Sequence, residues 1–502
     1  MDLSCNRNGE LIQYTVRCTS GNTNHRSVST TAQSAETWYS LLTHAANANH
    51  MSQLARQPLT RDVNCEAIGL TLRTLFLSVA TDVYGNVPCS EAFQGQAYYD
   101  EENSYITFTN FKPVFDTQQE VYTQLFKTLE TANSTYALDR GIKLNARDLM
   151  YGGDVLKWKK LNNSLYLRLL MRLSNRNNEK LAPSMDGVRT LTPFEKMREI
   201  VSSPGVYPIF ESNDDNATVR FSGESPNENR YGRSLDSYFT ARKACEQLLM
   251  MMESKGTIGE EGPQPQRQDP RTSSFFQISG LNWNGAVSGS GLEEEGGVSG
   301  AAYLNRDVLG TYTAPYSFMK YDELLFILSE AAFRGVALPR QAKDYYEEAV
   351  RSSCHAWIDM NPNKPWSENE IDNFILAYAN FELGLEFPSG SGSRPTYTTA
   401  QQLENLLNQK YIALFWVGYE AWCDYRRTGY PTLTINSGTQ NDHVLPTRME
   451  YPVNVRSTNP ANYEAAVNLM RERYGQSDNM KCPVWWSRQA AAIDGLVNTG
   501  EE

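Results

Sequence analysis

RDVNCEAIGLTLRTLFLSVATDVYGNVP, residues 61–88, decides the architecture. Ile68, Leu72, Leu75, Val79 and Val83 recur at spacings of four and three, so they share one helix face and give it an apolar stripe to bury. The helix stops where Gly85 removes a side chain and Pro88 removes a backbone donor. An amphipathic helix of this length needs partners of its own kind, and the chain downstream supplies them. Thr117-Gln118-Gln119-Glu120 is a capping box, opening a helix that buries Val121, Leu125, Phe126 and Leu129. Between Val155 and Ser174 the stripe Leu161, Leu165 continues through Arg168 and Arg172, and two guanidinium groups on a buried face call for acidic partners. A helix hairpin follows: Tyr321, Leu325, Leu328 and Ala332 up to Gly335, then Ala342, Tyr345, Tyr346, Ala349 and Val350 after Arg340. Ser367 and Glu370 form a second capping box, before Phe374, Ile375 and Tyr378. Beyond the breaker PSGSGSRPT comes a long helix with Leu403, Leu407, Tyr411 and Leu414.

The fold class expected is therefore mostly α, with tetratricopeptide-like helix pairs, a loop-rich subdomain and little β, although no clean 34-residue period repeats. At 502 residues the chain is long enough for two or three packed subregions. Four segments are expected: an N-terminal helical region over 1–240, a loop-rich ligand-binding insertion over 241–318, helix pairs of the same scaffold over 319–430, and an irregular tail over 431–502. One helix is predicted from Ser234 to Glu253. From Lys255 to Gly300, GTIGEEGPQPQRQDPR and GAVSGSGLEEEGG sustain neither helical nor strand period and read as long surface loops with a short hairpin. The net charge of −12 argues against a polyanionic partner, so no nucleic acid is expected. No run approaches the ~18 apolar residues of a membrane span.

HExxH, GxSxG, GxxxxGK[ST], an EF-hand loop and a strand followed by GxGxxG are all missing from the sequence, so no catalytic residue is assigned. His44 and His50 are six apart, off a shared helix face, and no metal ligand is assigned. Glu293-Glu294-Glu295 reads as a solvated acidic loop, with a structural Ca²⁺ as the alternative; no other cofactor is expected. Glu323 and Glu330, two turns apart in an apolar helix, read as buried partners of Arg168 or Arg172. Eight scattered cysteines make no metal or redox motif; Cys65 and Cys423 read as buried thiols, and Cys5 and Cys18 as the pair close enough in sequence for a disulfide.

Aromatic loops carry the functional reading, because a flat ring beside amides suits the apolar face and hydroxyl rim of a sugar. Tyr98 and Tyr99 stand after Pro88 with Tyr105 and Asn103; Trp283, Tyr303 and Tyr312 stand in the glycine-rich middle with Asn282, Asn284, Asn305, Arg306 and Tyr316. The competing reading packs such rings onto the helices, the commoner fate of a tyrosine. Trp485-Trp486 divides the same way between ligand contact and tail docking.

Five segments resemble the SusD/RagB family in order along the chain. They are VATDVYGNVP (79–88) with Ser90-Glu91-Ala92, DLMYGGD (148–154) through Trp158, Asn163-Ser164-Leu165 and Arg168, YDELLFILSEA (321–331), QKYIALF (409–415), and GYEAW (418–422) with DYRRTGYP (424–431). The resemblance implies a surface-exposed outer-membrane lipoprotein of Bacteroidetes, taking part in polysaccharide utilization, that captures a glycan and delivers it to a SusC-like TonB-dependent transporter without catalysis. Cys5 lacks an upstream Leu at the position a lipidated cysteine requires, so the signal and anchor are expected to lie outside this chain. Two alternatives stay open: a RagB-like oligopeptide carrier, and a helical-repeat scaffold that binds another protein through its concave face. A glycoside hydrolase would need two facing carboxylates, which the sequence does not locate.

Overall fold

Helices α1 (Thr31–Arg56) and α2 (Val63–Tyr84) form the first hairpin, packed along their length. α2 realises the 61–88 stripe, started by Asp62, whose carboxylate accepts from the backbone N–H groups of Asn64 and Cys65. Its partner buries small and polar residues, Ser34, Thr37, Ala45, Ala48, Ser52 and Ala55, around a single large ring, Trp38. That choice permits a close approach. A Cβ added at Gly69 would lie 2.8 Å from both the Ala48 carbonyl and the Ser52 nitrogen.

The structure is a computed structural model. It describes residues 8–497 apart from 20–21, 24–28, 95–98, 101–104, 107–111, 144, 235, 255–266, 280–282, 291–299, 364–365, 373 and 375–398. Further helices are α3 (Gln118–Thr135), α4 (Val155–Arg172), α5 (Pro193–Val201), α6 (Tyr321–Phe333), α7 (Ala342–Ile358), α8 (Thr399–Ala413), α9 (Glu420–Thr428) and α10 (Pro460–Tyr474). The Thr117–Glu120 and Ser367–Glu370 caps both form. α3 packs on α2 and α4, α6 on α7, and α8 on both α6 and α7, so one large apolar core runs through the helical body.

A second core has a different origin. Strands β1 (Thr15–Thr19), β2 (Asn22–Thr23), β3 (Arg242–Ala244), β4 (Phe276–Gln277) and β5 (Tyr303–Leu304) make a sheet in the order β4-β5-β3-β1-β2, antiparallel at each paired edge. Its buried side chains, among them Ile12, Tyr14, Val16, Phe275 and Leu304, meet Ile412, Phe415 and Val417 from the end of α8. The N-terminal segment and the 409–415 motif therefore both contribute to the loop-rich subdomain.

Two sequence expectations are corrected. The helix read from Ser234 to Glu253 is broken into Asp236–Thr240 and Glu246–Met252, because Arg242–Ala244 between them leaves helical geometry to pair with β1 and β5. The tail after Tyr430 is less irregular than its sequence suggests: it contains the 15-residue α10, capped by Gly475 in the left-handed conformation. Its Trp486 docks fully buried into the body and donates from Nε1 to Asp82 at 2.8 Å.

The resemblance segments converge in one buried charge network. Arg168 donates to both Glu323 oxygens at 2.6 Å, as the stripe on α4 required, and Arg172 meets Glu420 and, at 3.3 Å, Asp82. Glu330 is placed differently from the expectation: it pairs with Arg427 through two contacts of 2.6 Å, receives Arg334 at 2.8 Å, and has Lys410 at 3.9 Å. The reason is register. Two turns along α6 carry Glu330 past Arg168 and Arg172 to the α9 arginine, whose other partner is Asp424 at 2.8 Å. Burial alone would push the Glu330 carboxyl up, but Arg427 and then Arg334 hold it down at about 2.

Candidate functional site

An open groove of about 690 Å³ lies against the α1–α2 hairpin. Asn49, Ser52, Gln53 and Arg56 of α1 and Leu70 and Arg73 of α2 form its floor, and the loop Ser90–Gln94 forms its wall. The wall is held in place by Asp116, just before α3. Its carboxylate accepts from the backbone N–H groups of Cys89 and Ser90 at 2.8 and 2.9 Å, and from the Ser90 hydroxyl at 2.5 Å. Pro88 turns the chain out of α2, and Asp116 then folds it back along the same helix.

Two features set the chemistry of the groove. Phe93 sits at φ +65°, a left-handed conformation that side-chain-bearing residues adopt at a cost of about 1–3 kcal/mol, and this cost presents its ring beside Arg73. The Arg73 guanidinium carbon lies 5.9 Å from the ring centroid, and among the described residues no carboxylate reaches it. Burial lowers the Arg73 pKa from the usual arginine value. Arg56 at the other end is neutralised by Glu66 at 2.8 Å. Among the described residues the groove thus offers the half-buried Arg73 cation without an acidic partner, the Phe93 ring, and the amides of Asn49, Gln53 and Gln94. Among these residues its lining can donate hydrogen bonds and stack a ring.

The aromatic residues singled out from the sequence fall in two regions. Tyr98 lies outside the described residues. Tyr99 belongs to a two-residue strand, Tyr99–Asp100, paired with Tyr105–Ile106 a few residues beyond the groove wall. The other three belong to the sheet subdomain. Tyr303 stands in register between Gln277 and Lys243, half-buried, with the Lys243 ammonium 5.3 Å from its ring and Gln277 donating to Asp307 at 2.9 Å. Trp283 is half-buried against the second core, and the next residue is tied to the chain just before β5, since the Asn284 carbonyl accepts from Ala302 N–H at 2.7 Å. Tyr312 is 47% exposed and rests on Gly232, where an added Cβ would fall 2.7 Å from the Tyr312 Cα. Its carbonyl accepts from Asn229 N–H at 2.7 Å.

The sequence reading missed Arg73, Phe93, Asn49 and Gln53. A cation one position from the buried face of α2 reads as solvated, and the local pattern does not reveal that the 89–94 loop covers it. Among the described residues no group of three His, Cys, Asp or Glu could hold a metal ion. Glu293–Glu295 and Cys5 lie outside the described residues, so neither the Ca²⁺ alternative nor the Cys5–Cys18 pairing meets a structural observation.

Comparison with known proteins gives one sequence family and one fold. A family model named SusD-like and described as "Starch-binding associating with outer membrane" matches residues 2–452. A search of curated proteins finds no match. Among solved structures, a chitin-binding protein superposes with a TM-score of 0.74 at 23% identity, covering 96% of this chain and 94% of its own. A SusD homologue of Bacteroides fragilis gives 0.73 at 20% identity with the same coverages, and one of Bacteroides thetaiotaomicron 0.69 at 20%, covering 97% and 94%.

Proposed function

The chain belongs to the SusD-like family of starch-binding proteins that associate with the outer membrane, and from that premise we propose that it captures a glycan in the groove beside Arg73 and Phe93 and passes it to a SusC-like TonB-dependent transporter at the cell surface. The observation that carries the reading is the half-buried Arg73, without an acidic partner among the described residues, beside a strained aromatic ring. A sugar satisfies both at once, its hydroxyls accepting from the guanidinium and its apolar face lying on Phe93. The charge on Arg73 also suits a sugar carrying a carboxylate. The likeness to a chitin-binding protein supports a saccharide as the ligand class. Tyr303, Trp283 and Tyr312 give the sheet subdomain a second aromatic contact.

The experiment is isothermal titration of starch, chitin and uronic-acid oligosaccharides, with mixed oligopeptides as the competing set, on wild type, Arg73→Ala and Phe93→Ala. Heat from one glycan class, weakened ten- to a hundredfold by Arg73→Ala, is the expected result, since hydrogen bonds to a charged group are worth about 1.5–3 kcal/mol. Heat from peptides alone would replace the glycan reading by an oligopeptide carrier. Glycan binding untouched by either substitution would remove the site from the groove.

A further inference from the structure

Arg56, Arg61 and Arg73 stand along the first hairpin, and among the described residues one carboxylate serves them. Glu66 takes Arg56 at 2.8 Å and Arg61 at 2.6 Å, which leaves Arg73 without a counter-charge. We infer that the ligand of the groove is a glycan carrying isolated anionic groups, carboxylate or sulfate ester, on an otherwise neutral chain. The inference rests on the groove reading and names the substrate class within it.

Arg73 differs from the other arginines withdrawn from water. Arg271 and Arg448 are fully buried, and each meets a carboxylate at 2.6 Å, Asp269 and Asp478 respectively. Arg73 is half-buried with its guanidinium over the Phe93 ring, and among the described residues no protein acceptor takes its N–H groups. Burial, with Arg56 adding to it, works against the Arg73 charge and lowers its pKa. A ligand anion offsets that cost, whereas a hydroxyl group supplies an acceptor but no charge. The planar fork of a guanidinium also matches the paired oxygens of a carboxylate or a sulfate through two parallel N–H···O bonds.

The rest of the molecule limits how much charge the ligand carries. The chain has a net charge of −12, which repels a densely charged polymer at long range. Within the groove Arg56 is already bound, and the other polar lining groups among the described residues, Asn49, Ser52, Gln53, Ser90 and Gln94, are neutral. One anionic group among neutral sugars matches that set. A volume of about 690 Å³, within the ~300–1,000 Å³ of small-molecule sites, gives room for neutral units beside the charged one.

The test is titration calorimetry on the whole chain with oligosaccharides of glucuronoxylan, rhamnogalacturonan, glucuronate-tipped arabinogalactan and carrageenan. Each is used charged and neutralised, by methyl esterification of the uronates and by desulfation of the carrageenan. Starch and chitin oligosaccharides are the neutral set, and polygalacturonate is the densely charged one. At least one member is expected to bind about ten- to a hundredfold more tightly in its charged form, the value of hydrogen bonds to a charged group, and more tightly than polygalacturonate. Whether that member is a uronate or the carrageenan tells carboxylate from sulfate. Arg73→Gln should remove the advantage, and raising the ionic strength from about 0.01 to about 0.15 M should reduce it. Should Arg73→Gln fail to fold, the two forms compared on wild type decide alone. Equal binding of charged and neutralised forms, an advantage that survives Arg73→Gln, tighter binding of polygalacturonate, or no binding of any charged member would each overturn the inference. The groove reading then stands if starch or chitin binds and weakens in Phe93→Ala, and falls as well if bound glycan ignores both Arg73→Gln and Phe93→Ala.

Discussion

Glu330→Gln is the substitution whose effect the structure specifies most fully. The side chain is 0% exposed, and its carboxylate meets Arg427 at 2.6 Å and Arg334 at 2.8 Å. Burial opposes the charge, yet these cations hold the carboxyl at about 2 against its usual 4.5. A difference of that size corresponds to about 3 kcal/mol of preference for the charged form in the folded chain. The isosteric amide keeps the volume and removes the charge, so it loses about that much. It does not lose the larger sum that an unpaired buried arginine would cost, because Asp424 still holds Arg427 at 2.8 Å and Lys410 at 2.7 Å. The sign of the pH dependence follows. A carboxyl depressed on folding stabilises above its unfolded value and ceases to do so as pH falls through its folded value, so the deficit of the variant is full from neutral pH down to about 4.5 and shrinks toward 2. Urea unfolding followed by Trp fluorescence, wild type against Glu330→Gln, measures this as a gap that closes with acid. A variant equal to wild type at neutral pH, or a gap independent of pH, would refute the assignment of Glu330 as the charged centre of the network.

Gly69→Ala brings a methyl within 2.8 Å of the α1 backbone and is expected to lower stability by about 2 kcal/mol, read as a lower urea midpoint with no change in slope. Arg73→Met relieves a half-buried charge that has no acidic partner among the described residues, so its midpoint should equal or exceed wild type while glycan affinity falls, a trade between stability and function seen in one pair of measurements. Tyr312→Ala removes a ring that is 47% exposed and should change stability by less than about 0.5 kcal/mol, while a several-fold loss of affinity for long glycans, absent with short ones, would place the sheet subdomain along the bound chain. The thiols of Cys89, Cys245 and Cys482, raised to about 11 by burial, and of Cys354 and Cys423, raised to about 12, should resist alkylation in the native protein at mildly alkaline pH and react after unfolding; mass spectrometry of the labelled chain reads both states.

What the sequence made legible was whatever large side chains write into a period. α2, α3, α4, α6 and α7 bury leucines, phenylalanines and tyrosines at helical spacing, and each was readable. α1 was not, because it buries mostly serine, threonine and alanine so as to approach α2 closely. The sheet was not, because each of its strands holds at most five residues and its central pairing joins segments more than 200 residues apart, Val16 to Lys243. The same holds for the groove. Arg73 and Phe93 are unremarkable where they stand in the chain, and become a pair only after Asp116 has turned the loop back.

The division of labour between motif and site has an energetic reason. Asp82, Arg168, Arg172, Glu323, Glu330, Glu420, Asp424 and Arg427 come from separate segments and share partners in one buried place, so altering any one unbalances its neighbours, at about 3 kcal/mol where a shared partner remains, as at Glu330, and at more where none does. Arg73, Phe93, Gln53 and Gln94 share no partner with that network, and replacing them disturbs an open groove rather than a core. Ligand contacts can therefore change while the helix pairs keep their register, provided that Asp116 still anchors the loop. Asp116→Asn sets the boundary between the two: it keeps hydrogen-bonding capacity but weakens the grip on Cys89 and Ser90, so it should loosen the groove wall and lower affinity while leaving the buried network, and the unfolding midpoint it governs, within about 1 kcal/mol of wild type.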